Sequence, residues 1–298
     1  MMRYALSTMW GVNRYPRLGQ FFLEAEKAGF EAFELNHGVD SSMFEGLDGR
    51  IISSIHEPCP ADISELTLKH NDWLISSLDE ERRKKGVLSV CRSIDLAVEL
   101  GACAVVVHPG RVDIGIDYEP RLRELISAHS RESKEYSDFL SRNIEAREHA
   151  AGPNLEQTAK SIKELALYAR ERGIVLGLEN RYHHYEIPSP EELGILLAQG
   201  PSDTLGFWYD VGHAQAMEIL GFWLHLQWLD LYADRIVGVH FHDILGVDDH
   251  RIAGTGSIPW KQIAGRIPRS AIRTCEFRNT YSVEEISQGR KFLESLDI

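Results

Sequence analysis

The chain has 298 residues, 43% hydrophobic, 26% charged and 9% aromatic, a globular balance with enough apolar residues for a sizeable core. Its 32 basic and 45 acidic residues leave a formal charge of −13, which repels phosphate backbones and anionic membranes and argues against general nucleic-acid binding. No apolar run approaches the roughly 20 residues that span a bilayer, Met1–Trp10 is too weakly apolar for a signal peptide, and the scattered Cys59, Cys91, Cys103 and Cys275 read as reduced residues of a cytoplasmic protein.

In chain order, an apolar strand is expected over Tyr4–Trp10 and a helix over Pro16–Ala28, with Leu18, Phe21, Phe22 and Ala25 on one face. Strands follow at Phe30–Leu35 and Ile51–His56. The charge run Asp79–Lys85 opens the helix Glu81–Leu100, with Glu80–Lys84 and Glu81–Lys85 as i,i+4 pairs on a solvated face. Gly101 ends that helix. A strand over Ala104–His108 precedes the longest connection, Gly110–Gly173, whose charged Asp117–Gly152 stretch reads as a helical excursion over the mouth and whose Leu155–Arg172 stretch is a helix. The remaining strands are Ile174–Glu179, Leu205–Asp210, Ile236–His242 and Ile272–Phe277. Ser282–Leu296 is a closing helix, with Ser282 and Glu285 in capping-box spacing.

Several strands are continuously apolar, as in VVVH and IVLGLE, which is the pattern of a parallel sheet covered on both faces. Eight strands alternating with helices predict a single (β/α)8 TIM barrel over residues 1–298, with the excursion between strands 4 and 5. The open doubly wound alternative wants a glycine-rich phosphate loop after its first strand, and STMWGVNRYP is no match.

The 13 histidines concentrate where strands end. Strand ends carry His56, His108, Glu179, Asp210 with His213, then His240, His242 and Asp243, then Asp248 and His250, and finally Glu276. Catalytic groups of such barrels gather at those ends. A lone histidine there is usually structural, but this many histidines and carboxylates converging on one mouth need a compensating cation. Imidazole with carboxylate suits zinc, manganese or a related metal. Glu179, Asp210, His240 and Glu276 suffice for one ion, with His240 favoured over its neighbour on the same face, His242. His56, His108, His213, Asp248 and His250 would extend the set to two or three ions, or hold substrate. Trp10, Trp208 and Trp260 are candidates to stack on a sugar, although core packing is the commoner fate of tryptophan.

The pieces SIHEP, GACAVVVHPG, GIVLGLEN, YDVGHA, VHFHD, DDHRIAGTGSIPW and CEF, taken in order, resemble the xylose-isomerase-like barrel superfamily. Its members include sugar and sugar-phosphate isomerases and epimerases, and the AP endonuclease IV type of repair enzyme. The resemblance implies one divalent ion (Zn, Mn, Co or Mg) held by Glu179, Asp210, His240 and Glu276. In the endonuclease pattern it implies three zinc ions on these four plus His56, His108, His213, Asp248 and His250. It also implies a small carbohydrate ligand and a homo-oligomer. The net charge and the His- and Tyr-rich RYHHYE stretch point away from DNA.

Three chemistries follow as expectations. In an isomerase or epimerase, the metal stabilises an enediolate while Glu179 and Glu276 exchange the α-proton. His56, His108, His213, Arg251 and Trp10 then contact the substrate, with Arg251 or Arg181 replacing an arginine that epimerases often place where Gly246 stands. The alternatives are a multi-zinc phosphoester hydrolase, and a metal-dependent lyase or dehydratase acting on a keto-sugar or inosose. A non-catalytic sugar-binding protein has no need of paired carboxylates.

Overall fold

The computed structural model describes residues 4–298; residues 1–3 of the expected Met1–Trp10 segment lie outside the described residues. Eight parallel strands close into a barrel in the order β1 (Tyr4–Ser7), β10 (Ile272–Cys275), β7 (Ile236–Phe241), β6 (Leu205–Asp210), β5 (Val175–Glu179), β4 (Ala104–Val107), β3 (Ile51–His56), β2 (Ala32–Leu35). The helices are α1 (Leu18–Lys27), α2 (Glu65–His70), α3 (Glu80–Leu100), α4 (Glu119–Ser127), α5 (Lys134–Arg170), α6 (Pro190–Leu197), α7 (Val211–Ile219), α8 (His225–Tyr232), α9 (Trp260–Ile263) and α10 (Val283–Ser295). All eight expected strands form, several shorter than expected. Trp10 ends a 3-10 turn, and His108, His242 and Phe277 stand just past their strands. An unanticipated antiparallel hairpin, β8 (Asp243–Leu245) with β9 (Asp248–Arg251), occupies the loop after β7. Among the described residues no helix is long and apolar enough to cross a membrane.

The barrel strands are buried on both faces, which is why they read as apolar runs. The outward faces pack on the helices through residues such as Phe21, Phe22, Ile94, Ile162 and Ile286, all at most 1% exposed. Inside the barrel, Trp208 packs with Ala104 and Val106. Two strand glycines make room for it. A Cβ on Gly177 or Gly238 would come within 2.7 or 2.2 Å of the Trp208 side chain. The indole, edge-on to His240 at 5.2 Å between centroids, forms the floor of the mouth.

The helix ends follow local chemistry. The Asp79 side chain caps α3, and Gly101 ends it at φ +70°, a conformation glycine reaches without Cβ strain. Ser282 and Glu285 form the expected capping box on α10. The charge run is less solvated than expected. Arg83 is 1% exposed and bonded to Glu80, Ser161 and Glu164, so it joins α3 to α5. Lys84 pairs with Glu81 rather than Glu80, and Glu80 reaches Lys160. The excursion is α4 followed by α5, which runs unbroken through Pro153 instead of starting at Leu155. Gly152 and Pro153 face solvent, where water can satisfy the carbonyl that proline leaves unpaired.

Candidate metal centre and substrate cleft

Strand register assembles the centre. His240 on β7 lies opposite Asp210 on β6 and Thr274 on β10, and Glu276 follows β10 by one residue. Glu179 ends β5. Ligand atoms of Glu179, Asp210, His240 and Glu276 all lie within 4.8 Å of one another, and all four side chains are buried. Nδ1 of His240 is 2.8 Å from Glu179 Oε1, 3.3 Å from Glu276 Oε2 and 3.6 Å from Asp210 Oδ2. Its other nitrogen, Nε2, is 3.0 and 3.2 Å from the two oxygens of Glu34, whose Oε2 also accepts from Ser54 Oγ at 2.8 Å. Glu34 is a fully buried β2 residue that the sequence reading missed. Its only signal was an acid inside the apolar strand AFEL. It fixes the imidazole with Nδ1 facing the carboxylates, the arrangement by which an outer carboxylate orients a ligating histidine.

The electrostatics are those of an anionic well. Burial disfavours charge on His240, but Glu276 and Glu34 overcome it and hold the imidazolium well above its ordinary pKa. Burial raises Glu34, and the His240 charge and hydrogen bond reverse this, bringing it down to about 2. Glu179, Asp210 and Glu276 are likewise held low against the cost of burial, Glu179 chiefly by Arg181, Asp210 by His213 and His242, and Glu276 by His240 and His250. Arg181 Nη1 donates to Glu179 Oε2. Oε1 of Glu276 is buried with no hydrogen-bond partner.

Two histidine clusters flank the centre. Nε2 of His56 and Nε2 of His108 are 2.5 Å apart, with His108 Nε2 3.2 Å from Glu179 Oε2. His37, another residue the sequence reading missed, completes this group. Its Nε2 is 3.7 Å from Glu65, which also lies 3.6 Å from His108 Nδ1. Burial and Arg181 push His108 down, but Glu179 and Glu65 raise it to about 9. On the other side lie His213, His242 and His250. His242 is committed on both nitrogens: Nε2 faces Asp210 Oδ1 at 3.0 Å, and Nδ1 accepts from the His250 backbone N–H at 2.9 Å. It therefore supports Asp210, and His240 is the histidine with a nitrogen turned to the centre.

A cleft of about 600 Å³, counting the space open to solvent, lies above the centre. His56, His108, His213, His250 and Glu276 line it, together with Glu65, Lys69, Arg181, Tyr182, Glu186 and Asp249. Three expected site residues lie elsewhere. Trp10 is wholly buried, with its Nε1 donating to the Tyr281 carbonyl, so no face is open for a sugar. Asp248 turns outward to Arg251 and Arg278, and its neighbour Asp249 takes the inner position against His250 at 3.0 Å. Arg251 is spent on Asp248 and does not line the cleft. The hairpin, with His250 at φ +51°, shifts the pattern by one residue from what a simple loop would give.

The donor set fits a divalent ion. Three carboxylate oxygens and one imidazole nitrogen converge, the imidazole is oriented from behind, and one carboxylate oxygen is left without a partner.

The chain is similar to several solved structures in fold and to curated proteins in sequence. L-ribulose 3-epimerase is 17% identical with a TM-score of 0.68, covering 99% of this chain and 96% of that one. The IOLI protein, whose structure binds a zinc atom, is 14% identical with a TM-score of 0.64, covering 99% and 98%. The uncharacterized protein y4fM of Sinorhizobium fredii is 29% identical over 210 residues, 70% of this chain, and the match spans about half of that relative's length, 54%. The family described as xylose isomerase-like TIM barrel matches residues 22–296, a span that takes in Glu34 and all four residues of the converging cluster, and the chain belongs to that family.

Proposed function

We propose that this protein is a divalent-metal-dependent sugar isomerase or epimerase. Glu179, Asp210, His240 and Glu276 would hold one ion of zinc, manganese, cobalt or magnesium. The observation that carries this reading is the convergence of their four ligand atoms within 4.8 Å beneath an open cleft. The likeness to an L-ribulose 3-epimerase and to a zinc-binding barrel supports it. When bound, the ion supplies Lewis acidity at a carbonyl and its neighbouring hydroxyl.

The chain's own residues divide the proton transfers. Oε2 of Glu276 faces the centre, while its Oε1 accepts no hydrogen bond, lies 3.9 Å from His56 Nδ1 and is available to take the proton from the carbon beside the carbonyl. Glu179 stands three strands round the barrel. Its Oε2 lies beside His108 Nε2 at 3.2 Å and accepts from Arg181, so it returns the proton with His108 as relay. Two carboxylates on separate walls serve the two faces of a planar enediolate. His56, His108 and His213 would contact substrate oxygens from the cleft wall.

The test is Glu276→Gln, read by hydrogen exchange from solvent into a panel of ketoses. Exchange should fall by about 10³-fold or more even when metal is supplied at concentrations that refill the weakened site, with sugar binding retained. Near-full exchange would refute the assignment.

A second reading, a multi-zinc phosphoester hydrolase, is favoured by one observation. His37, His56 and His108 bring three imidazole nitrogens within 4.8 Å of one another, beside Glu179, a set that could hold a second ion. His108→Ala should then lower zinc stoichiometry, and abasic-site DNA would be cleaved. A lyase or dehydratase would start from the same proton abstraction and register as loss of water in the same ketose panel.

A further inference from the structure

We infer that this site takes an uncharged polyhydroxylated carbonyl compound and excludes its phosphate ester. The inference builds on the isomerase reading for the chemistry, but its observations concern charge and stand apart from that reading.

The first observation is that the cleft's cations are already matched. Among the described residues, Glu34, Glu65, Glu179, Glu186, Asp210, Asp249 and Glu276 line or underlie the cleft, against the fixed cations Lys69 and Arg181 and the imidazoliums of His108 and His240. Lys69 is 2.8 Å from Glu65 and 3.9 Å from Glu186. Arg181 is bound to Glu179 and lies 3.5 Å from Glu186. The lining histidines face carboxylates of their own: His108 faces Glu65, and His250 faces Asp249 and Glu276. At the rim, Arg278 pairs with Asp248 and Asp249, Arg123 with Glu119, and Arg111 lies 4.0 Å from Asp72. A divalent ion at the centre would still leave the carboxylates in excess.

The second observation is that the fold's usual anion nest is filled from within. Barrels of this architecture often hold phosphate in the loops after the seventh and eighth strands, near a short extra helix. Here the glycine-containing Ala253–Ile258 loop, just before short α9, wraps Asp243 instead. The buried Asp243 carboxylate accepts from the backbone N–H groups of Ile244 at 3.0 Å, Gly254 at 2.8 Å and Ile258 at 3.1 Å, and from Trp260 Nε1 at 3.0 Å. The wrap is tight: a Cβ on Gly256 would lie 2.4 Å from Asp243 Oδ1. Helix starts that present bare N–H groups would be the other resort. The start of α7 is capped by Asp210, α6 by Ser189 and Glu192, α10 by Ser282 and Glu285, and α2 by Ser64. A dianionic phosphate therefore meets carboxylates in excess, and the lining nitrogens left without a partner, Arg181 Nε and Nδ1 of His37 and His56, are buried behind them, whereas hydroxyl groups can donate to those same carboxylates.

The test uses calorimetric titration of the metal-loaded protein with paired ligands: L-ribulose and L-ribulose 5-phosphate, D-fructose and D-fructose 6-phosphate, and inorganic phosphate alone. Deuterium uptake from heavy water is measured in parallel. A free ketose should bind, its ester should bind on the order of 100-fold more weakly, and millimolar phosphate should not compete. Equal or tighter binding of the ester, or competition by phosphate, would overturn the inference while leaving the isomerase reading intact. Preferred binding of the free ketose without any deuterium uptake would sink the isomerase reading and uphold the charge inference. Glu186→Gln, which removes one of the two carboxylates facing each of Lys69 and Arg181, and Asp249→Asn, as a second variant, should each narrow the discrimination several-fold. Unchanged discrimination in both folded variants would show that these carboxylates do not set it.

Discussion

Replacing Glu34 by Gln isolates the role of the residue behind the centre. In the native arrangement both carboxylate oxygens face His240 Nε2, at 3.0 and 3.2 Å, and Ser54 Oγ holds the second oxygen at 2.8 Å. That keeps the proton on Nε2 when an ion displaces the one on Nδ1, so that Nδ1 would ligate beside Glu179, Asp210 and Glu276. Gln is isosteric and can still accept one hydrogen bond, so the fold has little reason to change. What is lost is the charge. A hydrogen bond to a charged partner contributes about 1.5–3 kcal/mol, against roughly 0.5–1.5 for a neutral one. The difference, about 1–2 kcal/mol, corresponds to a roughly 5–30-fold loss of metal affinity, at the lower end of the 10–100-fold typical when the support of a ligating histidine is removed. The assay is competition with a chromophoric chelator, with thermal denaturation of the metal-free variant run alongside to confirm folding. Metal affinity within twofold of the parent in a folded variant would show that Glu34 does not orient the ligand, and would undermine the assignment of Nδ1 to the centre.

Two further variants test the packing and titration arguments. His184 is 4% exposed and stacked on Phe222 at 3.9 Å, and burial followed by the Arg147 charge lowers its pKa to about 2. The unfolded chain titrates this group near 6.5, so only the unfolded state gains the proton between the two values. The stability it confers is full above about pH 6.5 and falls by about 1.4 kcal/mol per unit as pH drops below that. His184→Gln should flatten the urea-stability profile between pH 6 and 4.5 by about that slope, and parallel profiles would refute the reasoning. Gly238→Ala places a Cβ 2.2 Å from the Trp208 ring, inside a filled barrel. Overpacking should cost about 1–3 kcal/mol in denaturant unfolding, and a change below about 0.5 kcal/mol would mean that the barrel interior is less filled than its geometry states.

The barrel and its centre were legible because both follow from strand periodicity. A parallel strand buried on both faces reads as an apolar run, so the polar residue that closes each run marks the mouth. Glu179, Asp210, His240 and Glu276 were found that way, and they do converge. Residues inside or beyond the runs were less readable. Glu34 sits within its strand, where an acid looks like an interruption. His37, Glu65 and Lys69 lie on a loop and a short helix whose approach to the cleft depends on tertiary packing. Asp248 was misplaced because the loop after β7 is a hairpin that turns it outward and brings Asp249 in. Trp10 was misplaced because adjacency to a strand end does not distinguish a residue facing the mouth from one packed beneath the α1 side of the barrel, beside Phe21. The helix expected from Leu155 begins instead at Lys134, because Pro153 sits on a solvent-facing turn where it does not end α5.

The most direct measurement is the metal content per chain, by elemental mass spectrometry, on protein purified without chelator or added metal and again after reconstitution. We expect about one divalent ion per chain, lost or sharply weakened in Asp210→Asn and in His240→Ala. Two or three zinc ions per chain would contradict the one-ion centre and favour the hydrolase. No bound ion even after reconstitution would contradict the metal-dependent reading of the convergent carboxylates altogether.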